Sequence, residues 1–282
     1  MAVDQTRLSM NNAIIKCLFF WVLFAVFLNG SGFLAGLAPP DWFVWVRIGQ
    51  AILVFLPSIY LIRIFLKREK RTFTDIGLEW DKGTLYRFLL GILVGTAIFT
   101  VVMLVLVTLA GYDLKRSVNG VNWQAWLASL LVIIPFAYLE ELAFRSYTLL
   151  KLDKAYGLFW AQFLIAISFA LYHVAGGWSW QVAFLGPGAW AFVFGLAAIM
   201  SRGIALPTGI HAALNFLQVL VGMKPGKASF WRLELKQNIP DASMLANRVG
   251  IGIQISILML GIIATFLFIQ WKKMSLNKVP LV

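Results

Sequence analysis

Both histidines of this 282-residue chain, His173 and His211, fall inside long apolar stretches, as do the adjacent carboxylates Glu140 and Glu141 and the nearby Arg145. Ionisable groups at membrane depth cost roughly 2.5 to 3.5 kcal/mol each to insert, so such residues are functional candidates. A carboxylate can deprotonate water. Imidazoles can bind a metal or hydrogen-bond an oxyanion, and a carboxamide such as Asn215 can donate to one. Together these types describe hydrolysis by activated water. Other nucleophiles fit less well: Cys17, the single cysteine, is remote in sequence, and Ser168 has no identifiable base. The H-E-x-x-H and G-x-S-x-G patterns are absent, and Asp113 and Asp153 are expected in loops.

Residues three or four apart share a helix face. Glu141 can therefore pair with Arg145, while Glu140, about 100° round the helix, is free to meet another neighbour. Phe169 with His173, and His211 with Asn215, form polar stripes on two further helices. For Glu141 and Arg145 alone, a buried ion pair that glues the bundle is the simpler reading. It accounts less well for Glu140, because two carboxylates against one arginine leave a net negative charge at low dielectric. One is expected to be paired and the other poised as a general base.

The elements that must position these groups are membrane helices. The chain is 61% hydrophobic and 13% charged, with a mean hydropathy of +0.83, which nearly excludes a soluble domain. The net charge of +12 reads as membrane topology and not as a nucleic-acid surface. Eight stretches are long or apolar enough to be read as spans: 13–37, 42–66, 85–110, 123–149, 158–174, 189–200, 204–222 and 249–271, the sixth being short. The expected fold is thus an all-α polytopic bundle of about eight transmembrane helices. The first stretch lacks a cleavage site and reads as a retained helix. Gly32 with Gly36, and Gly91 with Gly95, are candidate packing faces. Sorting the basic residues by loop places 16 of 24 with the two termini and the 67–84 loop, and these are expected to be cytoplasmic. The 223–248 loop then faces outward, with Phe230 and Trp231 along the bilayer surface.

Three motifs in order carry a family resemblance. Glu140-Glu141-Leu142-Ala143-Phe144-Arg145 fits E-E-x-x-x-R, Phe169 to His173 fits F-x-x-x-H, and His211 to Asn215 fits H-x-x-x-N. The arrangement resembles the CPBP family, the CAAX protease and bacteriocin-processing enzymes also called Abi. The resemblance covers about a third of the chain. It implies an intramembrane endopeptidase, labelled a metalloprotease, in which Glu140 activates water and His173 assists or binds metal. His211 and Asn215 would hold the water or stabilise the oxyanion, with Glu141 and Arg145 holding the helix and tuning Glu140. Either a zinc ion on Glu140, His173 and His211 or a metal-free glutamate mechanism is compatible with these residues.

The organisation read from the sequence is 1–122 for the first helices and basic loop, 123–222 for the catalytic core, and 223–282 for the outer loop and last helix. The expected partners are membrane lipids and a membrane-associated or hydrophobic peptide or protein substrate, with no nucleic acid. The expected location is a bacterial plasma membrane, where a leader, bacteriocin or signalling peptide is the natural substrate. Two other readings stay open at this level, a proton-coupled transporter and a non-catalytic immunity factor or scaffold. Absence of an internal repeat weakens the first, and the intact motifs weaken the second. The site is expected near mid-membrane and open to the cytoplasm. One difficulty concerns depth: about a turn near Asp153, Glu140 lies 13 residues back and His173 20 residues on.

Overall fold

The computed structural model describes residues 2–39, 42–117, 122–224 and 229–277, with side chains from residue 10 to residue 275. Pro40 and Asp41 of the first linker, the side chain of Arg7, Lys227 and the stretch from Lys278 onward lie outside the described residues. The elements are α1 (Ala2–Gly36), α2 (Phe43–Arg68), α3 (Thr84–Leu109), β1 (Tyr112–Arg116), α4 (Trp123–Arg145), α5 (Tyr147–Tyr156) and α6 (Leu158–Ala175). There follow α7 (Trp180–Ala183), a π turn (Phe184–Gly188), α8 (Ala189–Ser201), α9 (Ala205–Leu220), β2 (Trp231–Leu235) and α10 (Ala242–Asn277). Among the described residues, seven helical segments are long and apolar enough to cross a membrane, and α9 is a shorter apolar helix. Large apolar side chains such as Leu93, Leu104, Leu260 and Leu267 point outward, where lipid would cover them. The chain is an all-α polytopic membrane protein in which helices satisfy the backbone internally, as a bilayer demands.

Several elements differ from the sequence reading. The sixth span is not short: Trp180 to Ser201 is one helical run of 22 residues. Gly186-Pro187-Gly188, just before the expected start at residue 189, belongs to a π turn within it. Proline has no N–H and its ring crowds the carbonyl four residues back, so the helical ladder widens locally instead of ending. The seventh stretch is the short one, at Ala205–Leu220. Asp113 sits in β1 and Asp153 in α5, neither of them in a loop. The outer loop contains β2, which pairs antiparallel with β1 from Tyr112↔Leu235 to Arg116↔Trp231. Of the small-residue pairs, Gly32 lies against Gln50 of α2, while Gly36 faces open space among the described residues.

Gly91 and Gly95 do pack. Helices α3 and α9 run parallel, Gly91 against Leu206 and Gly209, and Gly95 against Ile210 and Ala213. A Cβ on Gly209 would collide with the Phe88 carbonyl, and one on Gly95 would stand 3.0 Å from the Ala213 Cβ. This contact sets the depth of His211, level with Gly91 to Gly95 and nearer the Thr84 end of α3. At that end Gly77, with φ +66°, abuts Gly203, and beyond the other end β1 meets β2. Loops that the basic-residue count grouped together are thus joined in space.

Candidate active site

Ordering of the site begins where α4 ends. Asn122 caps its start, accepting from the Ala125 N–H at 2.9 Å. At Ser146 the backbone leaves helical geometry, with φ −91° and ψ −108°. The last carbonyls of a helix have no intrahelical partner. Here side chains serve them: Ser146 Oγ donates to Leu142, while Thr148 Oγ1 (2.8 Å) and Trp21 Nε1 of α1 (3.1 Å) both donate to Ala143. Phe144 is locked between Trp21, Phe24, Phe169 and Tyr172. The turn that carries Glu140, Glu141 and Arg145 is therefore held from three helices.

Glu141 and Arg145 are buried, and Arg145 Nη1 lies 3.5 Å from Glu141 Oε1. The same oxygen takes a closer partner, His211 Nδ1 at 2.8 Å, which the sequence reading did not assign. Arg145 is otherwise enclosed by aromatic rings. Its guanidinium carbon stands 4.1 Å from the centroid of Phe169, 5.2 Å from Phe194 and 5.7 Å from Phe144. Phe194 also stacks on His211, with centroids 4.8 Å apart and planes 11° apart. The arginine thus pairs with Glu141 and leaves Glu140 to other contacts.

Glu140 Oε1 accepts from Tyr172 Oη at 3.3 Å, and its Oε2 lies 3.6 Å from His211 Nε2. Oε2 is buried with no hydrogen-bond partner among the described residues. The Nδ1 of His211 meets a carboxylate, so Nδ1 carries a proton, and it is Nε2 that faces Glu140. His173 Nδ1 must likewise carry a proton, because its partner at 2.8 Å is the carbonyl of Phe169. In the neutral ring Nε2 is then the acceptor. The ring is held edge-on by Phe169, Tyr172 and Trp178. Among the described residues His173 makes no hydrogen bond or ion pair with Glu140. Asn215, one turn after His211, accepts at Oδ1 from Lys224 Nζ at 2.7 Å. Burial draws the Lys224 ammonium below its ordinary pKa, and the charge of Glu140 acts in the opposite sense.

Spacing along the chain accounts for how α4 and α6 meet. Helix α5 carries the chain on to Tyr156, and the reversal comes at Gly157, with φ +82°. Glu140 lies 17 residues before Gly157 and His173 16 residues after it, so the depth difficulty disappears. Cys17 is buried beside the Thr148 carbonyl at 3.8 Å and is no part of the site.

Glu140 Oε2 and His211 Nε2 are close enough to share one atom, but among the described residues no three His, Cys, Asp or Glu side chains gather as metal ligands. The expected set Glu140, His173 and His211 is therefore not assembled as a three-ligand site, and no step below passes through a metal. A separate apolar cavity of about 540 Å³ lies between α2, α3, α4 and α9. Its wall includes Tyr138 and Leu139, immediately before Glu140, and Thr208, one turn before His211. The catalytic candidates themselves do not line it.

Tyr172, Phe194 and Lys224 were not singled out from sequence. Tyr172 sits inside the F-x-x-x-H run but off the face of His173, and Phe194 is one apolar residue among many. Residues 122–217 match the family described as type II CAAX prenyl endopeptidase Rce1-like. The match covers about a third of the chain and is to CAAX proteases. The CAAX protease segment spans α4 to α9 and contains Glu140, Glu141, Arg145, Phe169, Tyr172, His173, Phe194, His211 and Asn215, whereas Lys224 lies just beyond it. No curated protein and no solved structure matches the chain.

Proposed function

We propose that the protein is an intramembrane endopeptidase that hydrolyses a peptide bond of a membrane-associated or hydrophobic peptide by glutamate-activated water. The observation that carries this reading is Glu140 Oε2, buried without a hydrogen bond among the described residues and facing His211 Nε2 at 3.6 Å. A water within hydrogen-bond reach of both atoms would donate one hydrogen to each and turn its lone pair toward a peptide carbonyl. Glu140 takes the proton, the hydroxide oxygen bonds to the carbonyl carbon, and the carbonyl oxygen becomes an oxyanion. The Asn215 Nδ2 hydrogens donate to that oxyanion. The proton on Glu140 then passes to the departing amine as the C–N bond breaks. Glu141 holds the proton of His211 on Nδ1, and Arg145 pairs with Glu141.

His173 Nε2 is the further acceptor in this scheme, orienting the water or the incoming peptide. The apolar cavity beside Tyr138 and Leu139 supports an apolar substrate portion lying against α4. The basic-residue asymmetry supports termini on the cytoplasmic side, which cysteine labelling at position 70 and position 236 would read directly.

The test uses purified protein in lipid vesicles. Glu140→Gln and His173→Ala should each abolish cleavage of internally quenched apolar peptides while the protein still inserts and purifies. Retained cleavage in both variants would overturn the assignment. Treatment with a strong chelator, followed by zinc, reads metal dependence separately: the scheme above expects unchanged rates, and loss restored by zinc would replace it with a metal mechanism.

A further inference from the structure

Lys224 lies nine residues after Asn215, a spacing that shares no helix face, yet its Nζ reaches Asn215 Oδ1 at 2.7 Å. The end of α9 explains this. Gly222 adopts φ +71°, its N–H donates to Val219 at 3.1 Å, and the next N–H, of Met223, donates to Gln218 at 2.9 Å. These paired bonds terminate the helix and fold the chain back along its last turn. The Lys224 N–H follows onto the same Gln218 carbonyl at 3.3 Å, which returns its side chain to Asn215.

A carboxamide has two ends of nearly equal shape, one accepting and one donating. An ammonium has donors only, so the end that meets Lys224 must be the oxygen, and the NH₂ end makes no hydrogen bond among the described residues. An oxyanion needs that donor end. Without a donor-only partner the group could turn and present its oxygen, which repels developing negative charge.

We propose that Lys224 is the positioning residue of the Asn215 oxyanion donor, fixing the carboxamide so that Nδ2 is the end offered to substrate. The proposal rests on the hydrolytic reading above. Lys224 touches Asn215 and does not itself need to touch substrate. Burial opposes the charge of the Lys224 ammonium and the carboxylate of Glu140 favours it, which sets the two groups at the same end of the site.

The experiment is a double-mutant cycle with Lys224→Met and Asn215→Ala, assayed on internally quenched apolar peptides in vesicles. Lys224→Met should lower kcat about tenfold with KM within about twofold, less than the roughly 10²- to 10³-fold loss when an oxyanion donor is deleted. In the Asn215→Ala background it should cost nothing further. Lys224→Gln, able to accept as well as donate, should fall between wild type and Lys224→Met, and it serves if the methionine variant does not insert. Wild-type kcat in both Lys224 variants, or the same loss with and without Asn215, would overturn the proposal. Equal cleavage by wild type and Glu140→Gln would instead overturn the hydrolytic reading itself.

Discussion

Two carboxylate clusters in this bundle handle buried charge in opposite ways. At one, Glu69 Oε1 takes Lys16 Nζ (2.8 Å), Lys151 Nζ (2.7 Å) and Tyr147 Oη (2.8 Å), which ties the end of α2 to α1 and α5. Burial would raise the Glu69 carboxyl, but the hydrogen bonds from Lys151, Lys16 and Tyr147 bring it down to about 2. At the other, Glu140 Oε2, Glu141 Oε2, Arg145 Nε and Arg145 Nη2 are all buried without a hydrogen-bond partner among the described residues. Buried polar atoms are almost always paired, and exceptions concentrate where a protein keeps capacity for a ligand or a reaction. The Glu69 cluster uses its acceptor fully and can only hold helices together. The Glu140 cluster leaves acceptors open in a frame held by Phe144, Phe169 and Phe194.

The contrast can be broken at four points. Glu141→Ala should have the largest effect on the fold, about 3 to 5 kcal/mol, because it strands the Arg145 charge inside the protein. Thermal unfolding in detergent measures this, and a loss under about 1 kcal/mol would mean that the three aromatic rings suffice for Arg145. Next comes the contact that sets the depth of His211. Gly209→Ala places a methyl against the Phe88 carbonyl with backbone on both sides, and it should cost about 1 to 3 kcal/mol by overpacking. Lower cleavage should accompany it, and an unchanged melting temperature would show that α3 and α9 can separate freely.

Phe194→Leu removes the ring stacked on His211 and one face of the Arg145 cage at nearly constant apolarity. It should lower stability by about 1 kcal/mol and kcat more than KM, since it frees the imidazole to tilt. The smallest effect belongs to Glu69. Glu69→Gln should cost about 1 kcal/mol, discounted because solvent reaches and screens the cluster, and should leave kcat unchanged. The carboxyl is depressed in the folded state, so its contribution is complete above an unfolded value of about 4.3 and fades as pH falls toward 2. Wild type and Glu69→Gln should therefore converge in stability below about pH 4, which pH-dependent unfolding would read. A difference that stays constant across that range would remove Glu69 ionisation from the account.

Fold and site were legible in the sequence to different degrees for physical reasons. Apolar length marks a membrane helix, but it started the sixth span at residue 189 instead of Trp180 because the Gly186-Pro187-Gly188 π turn has the composition of a loop. It also gave no sign of the β1–β2 pairing, whose strands are five residues each and more than a hundred residues apart in the chain. At the site, helical periodicity brought Glu141 to Arg145 and turned Glu140 away. It could not reveal that His211 is the closer partner of Glu141, since that contact joins α4 to α9. Lys224 was hidden for another reason. Its approach depends on the left-handed Gly222, and the only signal in the sequence is a glycine two residues before a lysine at a helix end.

The account rests on Glu140 being the open carboxylate of the pair and the base that activates water. Comparative peptidomics of membranes from cells carrying wild-type protein or Glu140→Gln at equal abundance tests this most directly. Newly formed peptide termini present with wild type and absent with Glu140→Gln, their uncleaved precursors accumulating, are the predicted result. Identical sets of termini in the two membranes would contradict it.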